Sequence, residues 1–224
     1  MMYRDDWDSI YKDLDKFIED NLEIEPLRFH ALLDDQETIE RMEFFIREEQ
    51  SKHGNGEIES FAGVLKKMRE ALGLSKPEVY QAALLAKMNY SNIEEQGDRP
   101  GREKVLALGF VLINANLVKD NPLDMLPEVI MDKLLGLAGG IEYCLKNTSP
   151  FDLIIRFCLR GKETEPGRMG NYISELSKVN NLLSYKGFEQ LPADFEKLPE
   201  EVKKWLKEKG EESNASSDTK VRKN

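Results

Sequence analysis

Chemically specialised side chains are scarce here: 224 residues include two cysteines and two histidines. Cys144 and Cys158 sit in apolar, helical-looking sequence, which fits two small core residues in a reducing compartment better than a disulfide. His30, in LRFHALL, reads as a partly buried helical residue, and His53 falls in a break between helices. Neither has a cysteine or second histidine at zinc spacing, so no metal or other cofactor is expected. A long hydrophobic run is missing too. The most apolar stretch, VLALGFVLINANLV from Val105, is shorter than the about 18 residues that mark a membrane-spanning helix, and it carries two asparagines. The opening MMYRDDWDSI is acidic and lacks the basic-then-apolar order of a secretion signal. These absences point to a cytoplasmic protein without a membrane partner. No glycine-rich phosphate loop, nucleophile elbow or kinase signature occurs, and Gly136, Gly139 and Gly140 read as a helix C-cap. Most acidic residues lie on amphipathic faces, as solvated surface does, so catalysis is not expected. Period-two alternation is rare, and the β-branched clusters fall inside patterns of period 3.6, which makes the fold class all-α.

What is present is charge, unevenly spread. The net charge is −10, yet residues 1–59 hold 18 acidic against 7 basic residues, while 60–224 hold 24 against 25. Within 60–112 the count turns to 8 basic and 6 acidic. The acidity belongs to an N-terminal arm, and the stretch after it is mildly basic, which permits contact with a phosphate backbone.

The arm, 1–56, carries Trp7, Ile10, Tyr11, Leu14, Phe17 and Ile18 at helical spacing among Asp residues, and a second helix is expected over about Gln36–Ser51. His53-Gly54-Asn55-Gly56 is the expected hinge. Beyond it, Phe61, Leu65, Met68 and Leu72 define a one-faced helix closed by Gly73 as a left-handed cap. Ser75-Lys76-Pro77-Glu78 is a capping box, so a new helix starts at Lys76. Helices over 86–95 and, after Gly97-Asp98-Arg99-Pro100, over 102–112 follow. The C-terminal region, 121–210, is expected to hold a helix ended by Gly139-Gly140, one opened by Ser149-Pro150-Phe151-Asp152, one near 168–185 and one near 199–209. Residues 211–224 lack apolar side chains and are expected to be disordered.

Four short helices in about fifty residues, with Leu-Gly-Leu-Ser at Leu72–Ser75, apolar Val79 and Leu85, Ile93-Glu94 and then Pro100, resemble the lambda-repressor-like (Cro/xenobiotic-response-element type) helix–turn–helix family over about 60–117. The domain division that follows is an arm, a helix–turn–helix unit over 57–120, the C-terminal helices and the tail. Two positions depart from the family pattern: Tyr80 stands where Ala is usual and Leu84 where Gly is usual, so the packing of the two motif helices is expected to differ locally. LLGLAGG at 134–140 and SPFDLIIRFCL at 149–159 also resemble segments that follow such a motif in a loose group of bacterial regulators.

The resemblance implies a sequence-specific, bacterial-type transcriptional regulator that binds double-stranded DNA, most simply as a homodimer. It would set helix 86–95 in the major groove, with Lys87, Asn89, Ser91 and Asn92 as the polar residues available to bases. Lys76, Arg99 and Arg102 would suit phosphates. The alternative is a protein-interaction module on a helix–turn–helix scaffold that no longer reads DNA, favoured by Tyr80, Leu84 and the acidic Glu95. The arm completes the core in the simplest reading. It could instead dock on a partner protein, or its charge could mimic DNA and screen the motif.

Overall fold

Helical spacing in the sequence becomes helix throughout the computed structural model, which describes residues 7–22, 60–160 and 172–192 together with Glu40, Glu43, Phe44 and Arg47. Eight α-helices and no strand occur among the described residues. They are α1 (Trp7–Asn21), α2 (Phe61–Ala71), α3 (Lys76–Ala82), α4 (Lys87–Glu95), α5 (Arg102–Val118), α6 (Pro127–Gly139), α7 (Pro150–Arg160) and α8 (Leu176–Tyr185), with a 3₁₀ turn over Gly140–Tyr143. The four isolated residues fall inside the helix expected over 36–51 and are themselves helical. The hinge at 53–56, the helix near 199–209 and the tail lie outside the described residues, as do His30 and His53. No helix of the described residues is long and apolar enough to cross a membrane.

Local chemistry sets the helix ends in the motif. Leu72 closes α2 with Gly73 at φ +59°, where Gly73 N donates to Glu70 O at 2.9 Å and Leu74 N to Arg69 O at 3.0 Å. That pair of bonds is the Schellman arrangement, which a residue without Cβ adopts most cheaply. Ser75 then caps α3, and the reciprocal bond from its own amide to Glu78 Oε2, 2.7 Å, completes the capping box. The joint between α3 and α4 repeats the Schellman pattern: Leu84 N donates to Gln81 O at 3.1 Å and Leu85 N to Tyr80 O at 2.8 Å, with Leu84 at φ +56°. A leucine therefore occupies a left-handed position that costs a residue with a Cβ roughly 1–2 kcal/mol. Its half-buried side chain packs against the core, which offsets part of that cost.

Two helices differ from their expected lengths. α5 runs on past residue 112 to Val118 because no stop signal precedes Lys119-Asp120-Asn121-Pro122, and its residues 105–110 are buried on every side, as in the central helix of a bundle. Asn116, buried on α5, turns inward to hold the loop that follows, accepting from Leu123 N at 2.9 Å and donating to Met125 O at 3.3 Å. α8 begins at Leu176, because 172–175 run as non-helical chain, with Ile173 N bonded to Cys158 O at 3.1 Å.

One hydrophobic core links these elements, from Leu14 on α1 to Leu191 beyond α8. α6 lies along α5, and Gly109 leaves room at their contact: a Cβ there would come within 2.7 Å of Met131 Sδ and Cε, so the flexible end of that side chain would have to shift. Cys144 and Cys158 are both free thiols in this core, and burial pushes the Cys158 thiol up, as in a structural rather than reactive cysteine. α1 buries Leu14 and Ile18 and lies against α7, with the Phe17 and Phe157 rings 5.6 Å apart. Tyr11 stacks on Tyr185 at 4.0 Å, and Asp15 pairs with Lys186 at 2.7 Å. The described part of the arm thus completes the core beside the C-terminal helices.

Candidate nucleic-acid interface

The joint between α2, α3 and α4 is built from one buried ion pair. Arg69, near the end of α2, reaches Glu94 on α4 through two parallel bonds, Nε to Oε2 at 3.1 Å and NH2 to Oε1 at 2.9 Å. Its third nitrogen donates to Leu74 O at 3.0 Å, tying the α2–α3 turn to the same cluster. The Tyr90 hydroxyl donates to Glu94 Oε2 from one turn back along α4, and the Tyr80 ring lies tilted against Tyr90 with centroids 6.1 Å apart. Tyr80 therefore fills the α3–α4 contact with an aromatic pair. Burial is the largest influence on the Glu94 carboxyl and pushes its pKa up, but the hydrogen bonds from Arg69 and Tyr90 and the charges of Arg69 and Lys76 outweigh it. The net result is a carboxyl below its ordinary value and an Arg69 held firmly charged. Bidentate geometry of this kind fixes the crossing of α4 over α2 as well as its energy.

With Tyr90, Ile93 and Glu94 buried, the helical repeat turns Met88, Ser91, Asn92 and Glu95 to the opposite face of α4, flanked by Lys87. Lys87 is exposed, whereas Asn89, Ser91 and Asn92 are half-buried. Asn89 falls at the edge of the buried side, so Ser91 and Asn92 are the expected polar residues best placed on the outward face. Met88, 70% exposed, stands between them and was not among the expected contacts. A helical wheel anchored on Tyr90 and Ile93 is the signal that would have found it.

The expected cations separate into three groups. Arg99 is exposed, with Glu142 3.9 Å from its guanidinium and the Tyr143 ring 5.5 Å beneath it. Lys76 is half-buried at the start of α3, ion-paired with Glu95 and 3.7 Å from Glu94. Its hydrogen bond to Glu95 raises its pKa, and the capping box occupies the neighbouring amides. Arg102 turns inward. It donates to Tyr143 O at 3.0 Å, to Cys144 O at 3.2 Å and to Asp152 Oδ1 at 2.7 Å, so its charge is spent inside the protein. Asp152 accepts from Lys146 N at 2.9 Å with its other oxygen. The partner that draws Arg102 inward lies fifty residues along the chain, beyond the reach of local pattern.

Comparison of the chain with protein-family models, curated proteins and solved structures returned no match.

Proposed function

We propose that the protein is a transcriptional regulator that binds double-stranded DNA, laying α4 in the major groove and acting in the cytoplasm as a homodimer. The observation that supports this reading best is the α3–α4 unit itself. Two short helices joined by the four residues Ala83–Ala86 are clamped to α2 by the Arg69–Glu94 pair, and the freed face of α4 presents Ser91 and Asn92 beside Lys87. A single helix fits the major groove, Asn pairs in bidentate fashion with adenine, and an exposed Met suits a thymine methyl. Arg99 and Lys87 supply phosphate contacts, and Glu95, neutralised by Lys76, loses much of its repulsion. Arg102 has no part in the interface and serves the fold.

Binding of the full-length protein to a pool of random duplexes, read by fluorescence anisotropy from low to physiological salt, tests this. Affinity falling steeply with salt supports the reading, since each phosphate neutralised adds roughly 0.9 to the slope. No binding at low salt, by the full chain and by a chain lacking 1–56, overturns it.

A second reading rests on Met88. A large apolar side chain, 70% exposed at the middle of the outward face, is also what a protein-binding surface offers, and the motif carries little net positive charge. In that reading the scaffold binds another protein through α4. Met88→Ala would then abolish partner binding while leaving stability in urea unfolding as it was.

A further inference from the structure

The loop that carries Arg99 is held from the C-terminal side of the molecule. α6 ends at Gly139, and Gly140, at φ +61° and ψ −150°, turns the chain into the 3₁₀ turn that presents Tyr143. That conformation is closed to residues with a Cβ. Gly139 serves a different purpose: a Cβ there would lie 2.1 Å from Tyr143 Cγ and 2.2 Å from Cδ1, so the ring can sit only on a glycine. Seated there, Tyr143 makes three separate contacts with the segment between α4 and α5 and the first residue of α5. Its hydroxyl donates to Pro100 O at 3.2 Å, its carbonyl accepts from Arg102 Nε at 3.0 Å, and its ring face lies 5.5 Å from the Arg99 guanidinium carbon. An exposed arginine beside no other surface would sample many rotamers. Stacked on a ring it is restricted to those that keep the guanidinium plane on the aromatic face.

We infer that Tyr143 is a positioning residue for DNA binding, holding Arg99 and the loop after α4 in the phosphate-facing arrangement, so that the C-terminal helices are part of the interface without touching DNA. The inference rests on the DNA reading given above. The Gly139-Gly140 pair is then the device that seats the positioning residue, beyond capping α6.

The test uses the full-length protein and random duplexes. Arg99→Ala is expected to flatten the salt slope by about one and to weaken binding about three- to fivefold. Tyr143→Leu is expected to do the same, and the double variant to lose no more than either single one. Gly139→Ala, which displaces the ring, should reproduce Tyr143→Leu, and Tyr143→Phe, which keeps the ring, should recover most of the loss. In NMR spectra without DNA, the Arg99 side-chain protons should be shifted upfield by the ring in the wild type and in Tyr143→Phe, and return to ordinary values in Tyr143→Leu. Urea unfolding of each variant separates a positional effect from loss of fold. A further loss from Tyr143→Leu in the Arg99→Ala background overturns the inference while the DNA reading stands. So does a wild-type Arg99 with no upfield shift. No salt-dependent binding by the wild type overturns the DNA reading and, with it, the role given to Tyr143.

Discussion

Glu94 and Glu95 are neighbours in sequence and belong to different worlds. Glu94 faces inward, takes two bonds from Arg69 and one from Tyr90, and is nearly inaccessible to water. Glu95, one 100° step around the same helix, lies on the outward face, and its ion pair with Lys76 is open to solvent. The inner face of α4 is a closed polar network, in which removing one member strands the others. The outer face is a set of more exposed groups, tied to that network through Lys76, which pairs with Glu95 and lies 3.7 Å from Glu94. Fold and recognition are thus divided between two sides of a nine-residue helix.

The sharpest way to break this contrast is to truncate each glutamate. Glu94→Ala leaves Arg69 charged and buried, and should cost about 3–5 kcal/mol of stability in urea unfolding. A loss of under 1 kcal/mol would remove the structural role assigned to the inner face. The same pair gives a signed pH dependence. Because the folded-state pKa of Glu94 lies below its ordinary value of 4.5, its contribution is full above that value and is lost as pH falls from it through the lower folded-state pKa. The wild type should therefore lose stability over that acid window more steeply than Glu94→Gln.

Next in size is Arg102→Ala, expected to cost about 2–4 kcal/mol through the stranded Asp152 carboxylate while leaving the DNA salt slope as it was. A flattened slope with full stability would return Arg102 to the interface. On the outer face, Asn92→Ala should leave unfolding untouched and relax base preference by about 1–3 kcal/mol, read by selection from random duplexes. Glu95→Gln should have the smallest effect: tighter binding to every duplex by about twofold at low salt, vanishing at high salt, where exposed charges are screened.

How much of this could be read from residues alone follows the range of the interactions. The start of α3 was legible to the residue because Ser75 and Glu78 bond to each other's backbone three positions apart. Gly73 announced its own left-handed turn. Leu84 did not, because its conformation opposes the local preference of leucine and is imposed by packing. The full length of α5 is not legible locally, because the Asn116 side chain finds its partners in the next loop. Among candidate site residues, those on α4 came with the family resemblance, and helical geometry separates Ser91 and Asn92 on the outward face from Asn89 at its edge, whereas the inward turn of Arg102 and the ring beneath Arg99 depend on contacts more than forty residues away.

The docking of α1 carries a consequence for the order of synthesis. The Tyr185 hydroxyl bonds to Asp15 at 3.1 Å across a separation of 170 residues, whereas the joint of Arg69 and Glu94 closes over 25. At about 5–20 residues per second, the surface that receives α1 leaves the ribosome roughly ten to thirty seconds after α1 itself. Trp7, Tyr11 and Phe17 are made before the C-terminal surface they pack against. The motif can thus close its short-range joint first, while α1, made before it, is among the last of the described helices to find its place.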